Sequence, residues 1–176
     1  MGLFDFAMKN SNAKKEHLLS WQRLVMPDSA NKLIMTEQQL NATTMQQVGN
    51  DLRIIQDCVK LVDQTTKPDV FFMRLNLLRE KLRHLVMLER YITFTISGKS
   101  PTAVYNDLIA NYHEEVDKFL IRYFSETFDK AEAMKTEKGR IGKYQKFYDS
   151  LQEYYCYMSK ENIDYIETKY KAYTRN

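Results

Sequence analysis

Residues 68–92, PDVFFMRLNLLREKLRHLVMLERYI, decide how the rest of the chain is read. Apolar side chains recur at Phe71, Leu75, Leu78, Leu82, Leu85 and Ile92, in steps of three and four that keep one line on one side of an α-helix. Val70, Phe72, Leu77, Val86 and Leu88 widen that line until only Asn76, Arg79, Glu80, Arg83 and Arg90 mark a polar edge. A helix this apolar requires cover on more than one side, which predicts a central helix over about 68–92 inside a helical domain.

The rest of the chain fits that frame. A length of 176 residues suits one domain, and a domain of this size buries about 70% of its unfolded-chain surface. Five Gly and three Pro are too few for a loop-rich or many-stranded fold, and no stretch alternates with the period of a strand. Upstream, Leu18, Leu19, Trp21, Leu24 and Val25 predict a short first helix ended by Pro27, with Trp21 anchoring it to the core. Thr36 and Gln39 form a capping-box pattern ahead of the apolar series Met45, Val48, Leu52, Ile55, Val59 and Val62. Gly49, inside that series, reads as a close helix crossing or a slight kink. Pro68 suits the first turn of the central helix.

Downstream, Phe94–Ile96 reads as a brief extended piece and Ser97–Lys99 as a turn. Ser100 and Pro101 read as the cap and first residue of a helix carrying Tyr105, Ile109, Tyr112, Val116, Phe119, Leu120, Tyr123 and Phe124. Gly139 and Gly142 read as a break or weak hinge. A helix then follows through Ile141, Tyr144, Tyr148, Leu151, Tyr155 and Met158, and Ser159 caps a last short one with Ile163, Ile166, Tyr170 and Tyr173. The expected fold is all-α: an irregular bundle of four main helices with one or two short ones. Residues 1–15 form a hydrophobic tip and polar tail, and 16–176 a single helical domain.

The net charge of +3 does not by itself call for a polyanion. Its distribution says more: residues 1–66 are neutral, 67–100 carry +4, 101–135 carry −3 and 136–176 carry +2. That alternation suits neighbouring helices with complementary flanks. Cys58 and Cys156 both lie in apolar helical patterns, which reads as reduced core thiols in a cytoplasmic protein. No secretory leader is visible, and charges interrupt every apolar run well short of the ~20 residues of a membrane span.

The residues offer little chemistry. Gly98-Lys99-Ser100 lacks the upstream glycine of a phosphate loop, since position 93 is Thr93, and Pro101 removes an N–H where one is needed. Glu80 with His84, and His113 with Asp117, each supply at most half a metal site on a helix surface. No nucleophile stands beside a base, so neither catalysis nor a cofactor is expected. The basic, aromatic segment 135–148 is the sharpest candidate: Lys138, Arg140, Lys143 and Lys146 could meet phosphates while Tyr144, Phe147 or Tyr148 stacks on bases. The surplus of tyrosines, Tyr154 and Tyr157 among them, exceeds what one helical stripe hides and points to a protein interface. Met1–Met8 (MGLFDFAM), with Phe4 and Phe6, reads as a packed tail, a docking peptide or a weak membrane-surface contact. The main functional reading is a non-catalytic protein–protein interaction module with a protein partner or a second copy. The alternative is a nucleic-acid-associated regulator using 135–148.

Thr66-Lys67-Pro68-Asp69-Val70-Phe71-Phe72-x-Arg74, Gly98-Lys99-Ser100-Pro101, Lys135-Thr136-Glu137-Lys138-Gly139 and Glu161-Asn162-x-Asp164-Tyr165-Ile166 together resemble uncharacterised helical proteins of Gram-positive bacteria and their mobile elements. The resemblance runs from about Thr36 onward. It implies a bacterial cytosolic setting and carries no activity or site with it.

Overall fold

The computed structural model describes residues 3–29 and 32–174, with side chains described from Asn10 onward. Over these residues the chain is all-helical, with six α-helices and one 3-10 turn and no β-strand. The helices are α1 (Leu3–Val25), α2 (Glu37–Val62), α3 (Pro68–Leu88), α4 (Pro101–Glu132), α5 (Glu137–Gln152) and α6 (Lys160–Thr174), and the 3-10 turn spans Tyr155–Tyr157.

Local chemistry sets most of the starts. Thr36 Oγ1 accepts from Gln39 N (3.3 Å) while Gln39 Oε1 accepts from Thr36 N (2.8 Å), which closes the capping box of α2. Ser100 Oγ accepts from Ala103 N at the head of α4, and Ser159 Oγ accepts from Asn162 N at the head of α6. Pro68 and Pro101 are first residues of their helices, where a missing N–H costs nothing. Between α3 and α4, Ile96 and Lys99 exchange backbone hydrogen bonds across a two-residue turn. Ser97 (φ 51°) and Gly98 (φ 81°) both take the left-handed conformation that such a turn demands.

Several boundaries differ from the sequence reading. Helix α1 is a full 23 residues, because nothing between Leu3 and Val25 breaks a helix and the polar run 10–17 is simply solvent-exposed along it. The central helix stops at Leu88, and a turn closed by Tyr91 N donating to Leu88 O takes residues 89–92. The break before α5 falls at Ala133–Thr136, so both glycines lie inside the helix. Gly139 is there for the cap: a Cβ on it would stand 2.7 Å from Thr136 Oγ1, the atom that accepts from Gly139 N. A Cβ on Gly49 or Gly142 would meet nothing within 4 Å, so Gly49 serves no helix crossing. Helix α5 ends at Gln152, and the 3-10 turn takes the residues expected to prolong it.

The described chain divides into two compact units: residues 1–64 with 73–106, and residues 65–72 with 107–176. In the first, α1 lies against α2 through Trp21, whose Nε1 donates to Thr44 Oγ1 (2.8 Å) and whose ring stacks on Tyr91. Gln22, wholly buried, has its carboxamide satisfied by the next loop: Oε1 accepts from Ile34 N and Met35 N, and Nε2 donates to Lys32 O. The aliphatic core runs through Leu40, Val48, Ile55, Leu75, Leu78, Leu82, Leu85 and Leu88. The second unit is built on rings. Phe71 stacks on Phe119 at 3.9 Å between centroids, Phe124, Phe128, Tyr144, Phe147, Tyr165 and Tyr173 form a continuous cluster of stacked and edge-on contacts, and Val116, Leu120, Leu151 and Ile166 are buried in the same unit.

Candidate functional site

The segment 135–148 separates into two halves with opposite fates. Lys138, Lys143 and Lys146 are exposed on α5, and Arg140 is half-buried. Tyr144 and Phe147 are buried, and Tyr148 stacks on Tyr170 at 3.8 Å. The rings that were to stack on bases are therefore consumed by the fold. Burial also holds the Tyr144 phenol well above its usual range, and its hydroxyl has no partner among the described residues.

Arg140 instead turns to a cleft of about 430 Å³, lined with Glu132, Glu137, Ile141 and Tyr173. The cleft presents charges of both signs and no nucleophile beside a base. Tyr154 donates from its hydroxyl to Asp69 Oδ1 (2.8 Å) and stacks on Phe72. Burial and that hydrogen bond push its pKa up to about 12. Tyr157 also leans on Phe72 but stays partly exposed. The side chains of Phe4 and Phe6, and the whole Met1–Met8 contact, lie outside the described residues.

One member of each suspected half metal site is engaged elsewhere. His84 Nδ1 donates to Asp51 Oδ2 (2.5 Å), and Lys81 Nζ stands 3.5 Å from Asp51 Oδ1. Asp51 is 5% exposed, so one carboxylate on α2 is shared by two bases of α3. Asp117 accepts from Ser159 N and Asn162 Nδ2, anchoring the start of α6. Among the described residues no group of three or more His, Cys, Asp or Glu could hold a metal ion. Cys58 is buried, which raises its thiol pKa, whereas Cys156 is exposed rather than a core thiol. Glu114 and Glu115 of α4 pair with Lys118 on the same helix. No described helix is long and apolar enough to cross a membrane.

The sequence reading missed the surface that stands out. Eight of the eleven large hydrophobic side chains exposed among the described residues belong to the first unit. They include Met45 and Val59 on α2, in the line Met45-Gly49-Leu52-Gln56-Val59. On α3, Met73 (62% exposed), Leu77 (37%) and Met87 (42%) fall in the line Met73-Leu77-Glu80-His84-Met87. Both lines step by four and three, the spacing of one helix face. The signal was visible in Met73 and Met87, which the buried stripe of α3 never used. Comparison of the chain with protein-family models, with curated proteins and with solved structures found no match.

Proposed function

We propose that the chain is a non-catalytic helical module that binds another protein through helix faces of its first unit. The observation that carries this reading is the set of exposed apolar side chains at helix-face spacing, Met45 and Val59 on α2 and Met73, Leu77 and Met87 on α3. Apolar side chains clustered on one helix face of a folded chain mark interaction sites more often than scattered ones do. Two unpaired thiols suit a reducing compartment.

The reading is tested by cross-linked capture of partners from the producing cell with three proteins: wild type, Met45→Asp/Val59→Asp and Met73→Asp/Met87→Asp. Loss of a captured protein in either double variant, with helicity unchanged, supports it. Capture unaffected by both removes it. Recovery of nucleic acid that is lost at high salt and on charge reversal of Lys138, Lys143 and Lys146 replaces it with the regulator reading.

A further inference from the structure

Helix α3 carries two apolar stripes, and only one of them is used. Leu75, Leu78, Leu82, Leu85 and Leu88 are buried, while Met73, Leu77 and Met87 stand on a separate line with Glu80 and His84 between them. That second line has the 3–4 alternation of the a and d positions of a coiled coil. From Met73 to Met87 it runs about 21 Å along the helix, enough for one partner helix of four turns.

The flanks of the line select the occupant. On one side lie Asn76, Arg79 and Arg83, all exposed, with no ion pair to either arginine among the described residues. On the other side lie Arg74, which donates to Leu61 O, and Lys81 beside Asp51. Glu80 is the only acid on the exposed line itself. A second copy of α3 is a poor occupant: antiparallel pairing sets Arg79 and Arg83 against themselves, and parallel pairing sets them against Arg74 and Lys81. Like charges meet in both cases, and such pairs oppose association. Methionine at both ends gives a soft, adaptable apolar contact suited to a helical partner, and it offers nothing to a phosphate backbone.

We infer that the outer face of α3, Met73-Leu77-Glu80-His84-Met87, is the docking site for an amphipathic helix of another protein whose flanks are acidic. The inference rests on the interaction reading and narrows it to one face and one partner chemistry. Glu80, exposed midway along the line, sets the register of the incoming helix, as single polar residues do in helix pairs, while His84 is held by Asp51 of α2.

The test uses the full chain and two designed helical peptides of about 18 residues. Both carry leucine at a and d, one with glutamate and the other with lysine at e and g. Fluorescence anisotropy should show the acidic peptide binding at least about tenfold more tightly than the basic one, with the gap shrinking between about 50 and 300 mM salt. Met73→Asp/Met87→Asp should abolish binding, and Arg79→Glu/Arg83→Glu should reverse the preference. Light scattering should find the wild-type chain alone with no dimer that is sensitive to Met73→Asp. Equal binding or no binding of the two peptides overturns the inference, as does a Met73-sensitive dimer. Single-stranded RNA binding that depends on Arg79 and Arg83 but not on Met73 and Met87 also overturns it. Cellular capture lost only in Met45→Asp/Val59→Asp sinks this inference while the interaction reading stands.

Discussion

The two units of the chain solve the problem of covering helices with different side chains. The second is closed by rings: Phe124 alone meets Phe128, Tyr144, Phe147 and Tyr165, and Tyr144 in turn meets Tyr170 and Tyr173. The first is closed by leucines and valines around a few polar contacts, Trp21 with Thr44 and Asp51 with His84 and Lys81. Rings are large and reach several neighbours, so Phe71, Phe119, Phe124, Tyr144 and Phe147 are buried and most of the remaining rings of the second unit are half-buried. Aliphatic stripes cover one face each, and α2 and α3 in the first unit are left with apolar lines to spare. Much of the aromatic surplus is thus taken up by packing, while Tyr157 and Tyr165 stay exposed, and the exposed apolar side chains of the first unit are methionine, leucine, isoleucine and valine.

The contrast can be broken most severely at Phe124, which is 1% exposed. Phe124→Ala should cost about 3–5 kcal/mol in chemical denaturation and flatten the near-ultraviolet circular dichroism. In the first unit, Asp51→Ala should cost about 2 kcal/mol, less than a fully buried pair because His84 and Lys81 are each about a quarter exposed.

The ring-built unit should also fail first in alkali. The phenols of Tyr144 and Tyr155 are raised by burial and that of Tyr154 to about 12, so each stays protonated in the folded chain where an unfolded one ionises. A raised folded pKa contributes stability in full below the unfolded value of about 10 and loses it as pH rises through the folded value. Tyrosinate absorbance should therefore lag, then rise with loss of helicity above about pH 10. Tyr154→Phe should remove the bond to Asp69 and cost about 0.5–1 kcal/mol at neutral pH.

Within α5, Gly142→Ala should stabilise by about 0.5–1 kcal/mol. Gly139→Ala should gain nothing, because the new Cβ displaces the Thr136 cap. The smallest effect should be the most telling. Met73→Asp/Met87→Asp should shift stability by no more than about 0.5 kcal/mol per site, since both side chains already face solvent. A large loss there would mean the line is structural.

How much of this was legible depends on range. Helix type and most helix starts were readable, because Thr36 with Gln39, Ser100 with Pro101, and Ser159 with Asn162 act within three or four residues. The end of α3 and the place of the break before α5 were not. Tyr91 leaves the helix pattern to stack on a tryptophan seventy residues earlier, and Thr136 outcompetes two glycines as a boundary.

The candidate residues show the same limit. Lys138, Lys143 and Lys146 are exposed, as expected for lysines without a buried partner, unlike Asp51, which His84 and Lys81 hold in the first unit. Tyr144 was readable as core from its place on the Ile141–Met158 seam, whereas Phe147, off that seam, could not be assigned, because a ring at a given spacing serves a core or a surface equally well.

By itself, then, the sequence determined that this chain is helical and where most of its helices begin, since periodicity and caps are properties of neighbours along the chain. Only the tertiary structure decided which of the two apolar stripes of α3 would be covered, which carboxylate His84 would meet and which tyrosines would vanish into the core. Those outcomes depend on groups 33 to 85 residues apart, such as Asp51 with His84 and Asp69 with Tyr154, and burial is settled by whichever helix arrives.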